Sequence, residues 1–176
     1  MSSTFLYFAY GSNLLMKRIH FNNPTAVRKD IGCLKNYRLD FITFSKRWGG
    51  AAATIVPTEN VCVWGAIWEL DKSNLSTLDH QEGVTDSIYF PFMVNVETPT
   101  GAVLECRVYQ QCNTPKEYTK PMCLPKERRP SPLYLETVIK GAQESRLPSS
   151  YINFLKTIPH NEYNGYCEIG LSLREV

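Results

Sequence analysis

The sequence predicts an α+β domain. Three observations carry that reading: about six short β-favouring runs, a helix set between two groups of them, and two further helical patterns after the last strand. The chain has 176 residues, enough to bury one sizeable core, so residues 1–176 are expected to form a single domain. A hydrophobic fraction of 43% and a charged fraction of 20% are those of an ordinary folded protein and argue against disorder or a fibrous repeat.

The first run, residues 4–10 (TFLYFAY), is aromatic and β-favouring and stops at the turn formers Gly11-Ser12-Asn13. Leu14, Leu15, Arg18 and Ile19 then follow at spacings that suit a helix of about two turns, ended by Asn23-Pro24. From Ile31 to about Leu70 three strands are expected, with Tyr37, Leu39 and Phe41 alternating on one and Val61 opening another. Gly49-Gly50 and Thr58-Glu59-Asn60 are the expected turns between them. Residues 71–82 (DKSNLSTLDHQE) predict a helix, with Asp71 as N-cap and Gly83 as stop. Ile88 to Glu97 and Val103 to Tyr109, separated by Thr98-Pro99-Thr100-Gly101, predict a hairpin. Ser131-Pro132 begins a helix by the cap-then-proline rule, and Leu135, Val138, Ile139 and Ala142 mark its inner face. A last helix is expected from Pro148 to about Ile158, and the tail beyond Pro159 is less regular.

Several function classes are disfavoured at once. Nineteen basic against 17 acidic side chains, a net charge of +2, create no broad positive field, so nucleic acid is not an expected partner. The densest basic run, Lys126-Glu127-Arg128-Arg129, contains an acid and precedes Pro130, as a solvated loop would. Six scattered cysteines without a CxxC pair read as reduced thiols. The N-terminal stretch lacks a basic start and its apolar run is broken by Gly11-Ser12-Asn13, so neither a leader nor a membrane span is expected and the cytoplasm is the expected location. His20, His80 and His160 have no ligand spacing, so no metal is expected, and the sequence contains no nucleotide-binding glycine loop and no GxSxG elbow.

Two segments can carry chemistry. A strand that ends in Gly-Ser-Asn can aim successive backbone N–H groups at one point, a concavity suited to anions or a developing oxyanion, which makes Tyr7 to Asn13 a candidate binding loop. On pattern alone the same residues also fit a plain strand-to-helix turn. Glu82 falls at i+7 from Leu75 and i+4 from Leu78, so a helix held to its end places the carboxylate on the face of two core leucines. Burial there, and the negative end of the helix dipole, both raise a carboxylate's pKa and suit a proton shuttle. The alternative is an acid swinging into solvent at a frayed end. Tyr89 and Tyr134 are hydroxyls that can line a polar pocket or sit in the core.

Tyr7-Phe8-Ala9-Tyr10-Gly11-Ser12-Asn13-Leu14 and Leu78-Asp79-His80-Gln81-Glu82-Gly83-Val84 resemble the two signature segments of the γ-glutamylcyclotransferases. Val63-Trp64-Gly65-Ala66-Ile67-Trp68 is similar to that family's central strand, and Ser131-Pro132-Leu133-Tyr134 to its later helix start, so the likeness spans residues 5–158. The resemblance implies a small mixed-sheet β-barrel with flanking helices. It implies cyclisation of γ-glutamyl amino acids to 5-oxoproline with release of the amino acid, no cofactor, and a homodimer. It also implies that Tyr7, Phe8, Ala9, Tyr10, Gly11, Ser12 and Asn13 hold the γ-glutamyl substrate, that Tyr89 and Tyr134 approach it, and that Glu82 is the catalytic acid/base. Glutathione-specific relatives carry a YGSL-type loop and those acting on γ-glutamylamines a YGTL-type loop, so Asn13 implies γ-glutamyl dipeptides. His80 departs from the usual signature and either tunes the site or faces water.

The physical chemistry agrees with that assignment. The substrate's own α-amine can attack its γ-carbonyl, so the nucleophile is tethered and the protein need only fold the substrate and move protons. Backbone N–H groups around Gly11 and Ser12 suit either a substrate carboxylate or the transient oxyanion. Two alternatives stand beside this reading: a non-catalytic protein that binds γ-glutamyl compounds, and a cyclotransferase for γ-glutamylamines.

Overall fold

In the computed structural model, which describes residues 3–167, β-favouring runs pair into a closed barrel in the order β1-β3-β2-β4-β5. The strands are β1 (Thr4–Ala9), β2 (Val27–Ser45), β3 (Gly50–Asp71), β4 (Tyr89–Glu97) and β5 (Val103–Gln111). Neighbours are antiparallel except β1 and β5, whose parallel step at Tyr7 and Arg107 closes the sheet on itself. The α+β barrel with flanking helices is therefore the observed architecture, and closure removes the unpaired edges of an open sheet.

Among the described residues five strands stand where about six were expected. Thr58-Glu59-Asn60 does not reverse the chain, because β3 runs straight through it. The register instead jumps from Lys35 opposite Cys62 to Tyr37 opposite Pro57, leaving four residues of β3 against Asn36. Asn36 and Asn60 take left-handed backbone angles (φ 64° and 62°), and the Asn60 N–H donates to Asn36 Oδ1 at 3.2 Å. The turn formers thus build a bulge that bends two long strands around the barrel. The Gly49 and Thr98–Gly101 turns lie where expected, with Gly49 at φ +75° and Gly101 at φ +89°.

The interior is filled by Phe8, Phe41, Ile55, Ile67, Val96 and Val108, all fully buried. Gly65 marks a close backbone approach between β3 and β1: a methyl there would lie 2.3 Å from the Ala9 carbonyl oxygen and 2.7 Å from the Phe8 ring. Gly65→Ala is expected to cost about 1–3 kcal/mol, as overpacking of a close-packed core does, read as a lower urea midpoint. An unchanged midpoint would contradict this packing.

Among the described residues four α-helices flank the barrel: α1 (Met16–Asn22), α2 (Leu75–Gln81), α3 (Pro132–Glu144) and α4 (Ser149–Lys156). Asp71 Oδ1 accepts from Ser73 N at 2.9 Å and caps the 3₁₀ turn that leads into α2. Ser131 Oγ accepts from Tyr134 N at 3.2 Å, with Pro132 as first residue of α3. Gly141 lets α3 press against the segment after β1, since a methyl there would meet Leu15 N at 2.6 Å. α3 therefore holds the Gly11–Leu14 turn in place.

The basic run at residues 126–129 is more than a solvated loop. Arg128 reaches the barrel, donating from Nη2 to Asp40 Oδ1 at 2.6 Å and from Nε to Phe41 O at 2.8 Å. Asp40 is fully buried and also pairs with Arg38, whose Nε and Nη2 lie 3.2 Å from Oδ2. Arg38 in turn donates to the carbonyls of Pro115 and Glu117 at 3.1 and 3.0 Å. The long connection after β5 is thereby tied to β2.

Candidate active site

α2 ends as its residues dictate. Leu78 is fully buried and anchors the helix, Glu82 N donates to Leu78 O at 3.0 Å, and Gly83 at φ +71° turns the chain away. Glu82 is therefore still helical in position, part-buried on the face of Leu78, as its spacing predicts. Its carboxylate lies where two cavities meet. The outer one, of about 420 Å³, opens to solvent, and an inner niche of about 50 Å³ is lined by Tyr7, Tyr10, Gly11, Ser12, Asn13 and Tyr134 among others.

A short chain of hydrogen bonds orients the acid. Asn13 Nδ2 donates to the Tyr7 hydroxyl at 3.2 Å, and that hydroxyl donates to Glu82 Oε1 at 3.4 Å. Two further hydroxyls are fixed by one β3 residue: Tyr134 accepts from Ala53 N at 3.0 Å, and Tyr89 donates to Ala53 O at 2.6 Å. Gln111 Nε2 donates to Tyr89 at 3.2 Å and to Ala52 O at 2.9 Å. Gly11 packs beside this cluster: a methyl on it would sit 3.4 Å from the Tyr134 hydroxyl and 3.6 Å from Ala53 Cβ, ordinary contact distances. The residues at 12–14 form a 3₁₀ turn, whose first N–H groups have no acceptor within the turn.

Burial pushes the Glu82 carboxyl up to about 7, and is the largest cause; Arg18, the Tyr7 hydrogen bond and Arg47 pull it back, while Asp79 adds to the rise. Such a group exchanges protons near neutrality. Burial also raises Tyr7, Tyr10, Tyr89 and Tyr134, so each remains a neutral hydroxyl.

Of the residues singled out in the sequence, Tyr7, Tyr10, Gly11, Ser12, Asn13, Glu82, Tyr89 and Tyr134 converge on these cavities. Phe8 and Ala9 line neither. Strand alternation turns Phe8 away from Tyr7 and against Gly65, and Ala9 is a core residue whose carbonyl faces Gly65. His80 stands exposed at the rim of the outer cavity. Among the described residues no group of three or more His, Cys, Asp or Glu is placed to hold a metal, and all six cysteines are free.

The structure adds residues that were not singled out. Arg18, Arg47 and Gln111 line the outer cavity. Arg18 had a visible signal, because a cation at the spacing of Leu14, Leu15 and Ile19 sits on an apolar helix face. Arg107 grips Asp79 with two bonds of 2.9 Å, and the Tyr109 hydroxyl joins the same carboxylate, tying α2 to β5. The Tyr109 ring then meets Tyr7 edge-on at 5.8 Å, so this network supports the hydroxyl that orients Glu82.

Comparison with known proteins bears on this arrangement. The profile of the AIG2-like family matches residues 62–155. The chain is 42% identical over 166 residues to the Gamma-glutamylcyclotransferase of Mus musculus and, to the same degree, to that of Bos taurus, covering 92% of this chain and 82% of each relative. A solved structure described as a Gamma-glutamyl cyclotransferase superposes with a TM-score of 0.85 at 39% identity, covering 95% of this chain and 96% of that one. With identity of this level over 92% of its length, the chain belongs to the γ-glutamylcyclotransferase family.

Proposed function

We propose that the protein cyclises γ-glutamyl amino acids, forming 5-oxoproline and releasing the free amino acid, with Glu82 as the single acid/base. The observation that carries the reading is a carboxylate raised to about 7, oriented by Tyr7, at the mouth of a hydroxyl-lined niche. The γ-glutamyl head enters the niche between the Gly11–Asn13 turn and the hydroxyls of Tyr10, Tyr89 and Tyr134. Ionised Glu82 takes a proton from the substrate's α-ammonium, and the freed amine attacks the γ-carbonyl carbon to form the ring C–N bond. The amide C–N bond then breaks. Two protons leave the attacking nitrogen and two arrive on the departing one, both ferried by Glu82, and no water is consumed. Folding the substrate into this attack geometry converts a slow encounter into a tethered step.

The specificity for γ-glutamyl dipeptides over glutathione and γ-glutamylamines is supported by Asn13 in the loop. Family resemblance supports the remaining expectations: residues 1–176 acting as one domain, a cytoplasmic homodimer, no cofactor, and a place in glutathione metabolism. Among the described residues no helix is long and apolar enough to cross a membrane.

Incubation with γ-glutamyl-alanine, glutathione and Nε-γ-glutamyl-lysine, with 5-oxoproline as readout, is expected to give rapid release from the first alone. No product from any of the three would favour a non-catalytic binding protein. The pH dependence follows from the sign of the Glu82 shift. Because ionised Glu82 begins the reaction, kcat/KM for γ-glutamyl-alanine is expected to rise with pH along a limb centred near 7 and to fall as the substrate ammonium deprotonates. A limb at the ordinary carboxylate value would contradict the assignment.

A further inference from the structure

The proposed proton transfers leave three cations of the outer cavity unused, Arg18, Lys46 and Arg47, and two of them are guanidinium groups. Arg18, on α1, is 3% exposed, its guanidinium lies 5.7 Å from the centre of the Trp48 ring, and its Nε has no hydrogen-bond partner. Arg47 is exposed in the turn between β2 and β3 and lines the same wall. Neither guanidinium makes an ion pair or a side-chain hydrogen bond among the described residues. The two nevertheless feel each other: burial first, and then the charge of Arg47, lower the Arg18 pKa, Glu82 opposes that shift, and both arginines act on Glu82. Like charges brought together beside a buried, unpaired nitrogen are unfavourable until an anion joins them.

Position separates the two carboxylates of a γ-glutamyl dipeptide. Arg18 and Arg47 line only the outer cavity, where Arg18, Lys46 and Arg47 face the two acids Glu82 and Asp86. Neither lines the inner niche. The departing nitrogen must come within hydrogen-bond reach of Glu82 to receive its protons. In an α-amino acid the carboxylate carbon is two bonds from that nitrogen, so its oxygens fall within roughly 4 Å of it, on the outer side. We infer that Arg18 and Arg47 seat the α-carboxylate of the departing amino acid and thereby select γ-glutamyl compounds that carry an anionic group next to the scissile amide. The inference rests on the cyclisation proposed above. Arg18 supplies the fixed, desolvated charge, and Arg47 closes over the carboxylate from the mouth.

The test compares γ-glutamyl-alanine with γ-glutamyl-alaninamide, which differ only in that carboxylate, in the native protein and in Arg47→Gln and Arg47→Lys. The native protein is expected to prefer the acid by about 10- to 100-fold in kcat/KM, the range of charge-assisted hydrogen bonds. Arg47→Gln is expected to cut that ratio about tenfold, chiefly through KM, and Arg47→Lys to restore part of it. A purely structural role would lower both substrates alike and leave the ratio unchanged, which would overturn the inference. So would a native ratio near one, the result if the arginines instead hold the glutamyl carboxylate. Dissociation constants of both compounds on Glu82→Gln, by calorimetry, give a reading that needs no turnover. If neither compound yields 5-oxoproline the cyclisation fails, yet tighter binding of the acid still supports the seat and equal binding still overturns it.

Discussion

Glu82→Gln is expected to lower kcat for γ-glutamyl-alanine by about 10³- to 10⁴-fold while changing KM little. General acid–base catalysis is typically worth about 10²- to 10⁴-fold, and the upper part applies because one group serves both ends of the transfer. Glutamine keeps the shape and still accepts from Tyr7, so the loss isolates the proton chemistry. Stability should move the other way. The folded protein raises Glu82 to about 7, so its contribution is fully present below the ordinary value of 4.5 and is lost as pH rises through 7. The variant is therefore expected to melt above the native protein at pH 8 and close to it at pH 4. Calorimetric melting at the two pH values, beside 5-oxoproline release, checks both statements. An active variant, or one that melts lower at pH 8, would remove Glu82 from the role given to it.

Asp40→Ala is expected to cost about 3–5 kcal/mol of stability, the range for removing one partner of a buried ion pair. Asp40 is fully buried in β2 and answers two arginines, Arg38 from its own strand and Arg128 from the segment before α3. Arg38 is 2% exposed, so without the acid its charge stays buried with Thr58 Oγ1, two carbonyls and the Tyr118 ring as its remaining partners among the described residues. The Phe41 N–H loses its 2.8 Å partner as well. Urea unfolding gives the measurement, and a loss below about 1 kcal/mol would mean that water screens the cluster as it does exposed pairs. Replacing Asp40 and both arginines together by apolar residues should recover much of the loss, since the destabilisation comes from the orphaned charge.

Legibility in the sequence followed the range of each interaction. The end of β1, the Asp71-to-Gly83 helix, the hairpin after Ile88 and the Ser131-Pro132 start all rest on residues a few positions apart, and all stand in the structure close to where pattern places them. The placement of Glu82 beside Leu78 is of the same kind. Thr58-Glu59-Asn60 misled because the same turn formers suit a reversal or a bulge, and pairing with Asn36 decides which. Phe8 belongs to a contiguous motif, but strand alternation turns it to the face opposite Tyr7, while Ala9, on Tyr7's face, offers only a buried methyl.

The sequence by itself determined the element types, the α+β class, the helical face that carries Glu82 and the loop that ends β1, because period, caps and turn chemistry are properties of neighbouring residues. Tertiary structure alone decided that the sheet closes through Tyr7 and Arg107, and that Tyr7 meets a carboxylate 75 positions away. It also decided that Arg128, from a run that reads as solvated, pairs with a buried aspartate, while Arg18 and Arg47 make no ion pair among the described residues. Which charges are neutralised and which remain for a ligand depends on burial and on partners from distant segments, and neither is a property of any local stretch of chain.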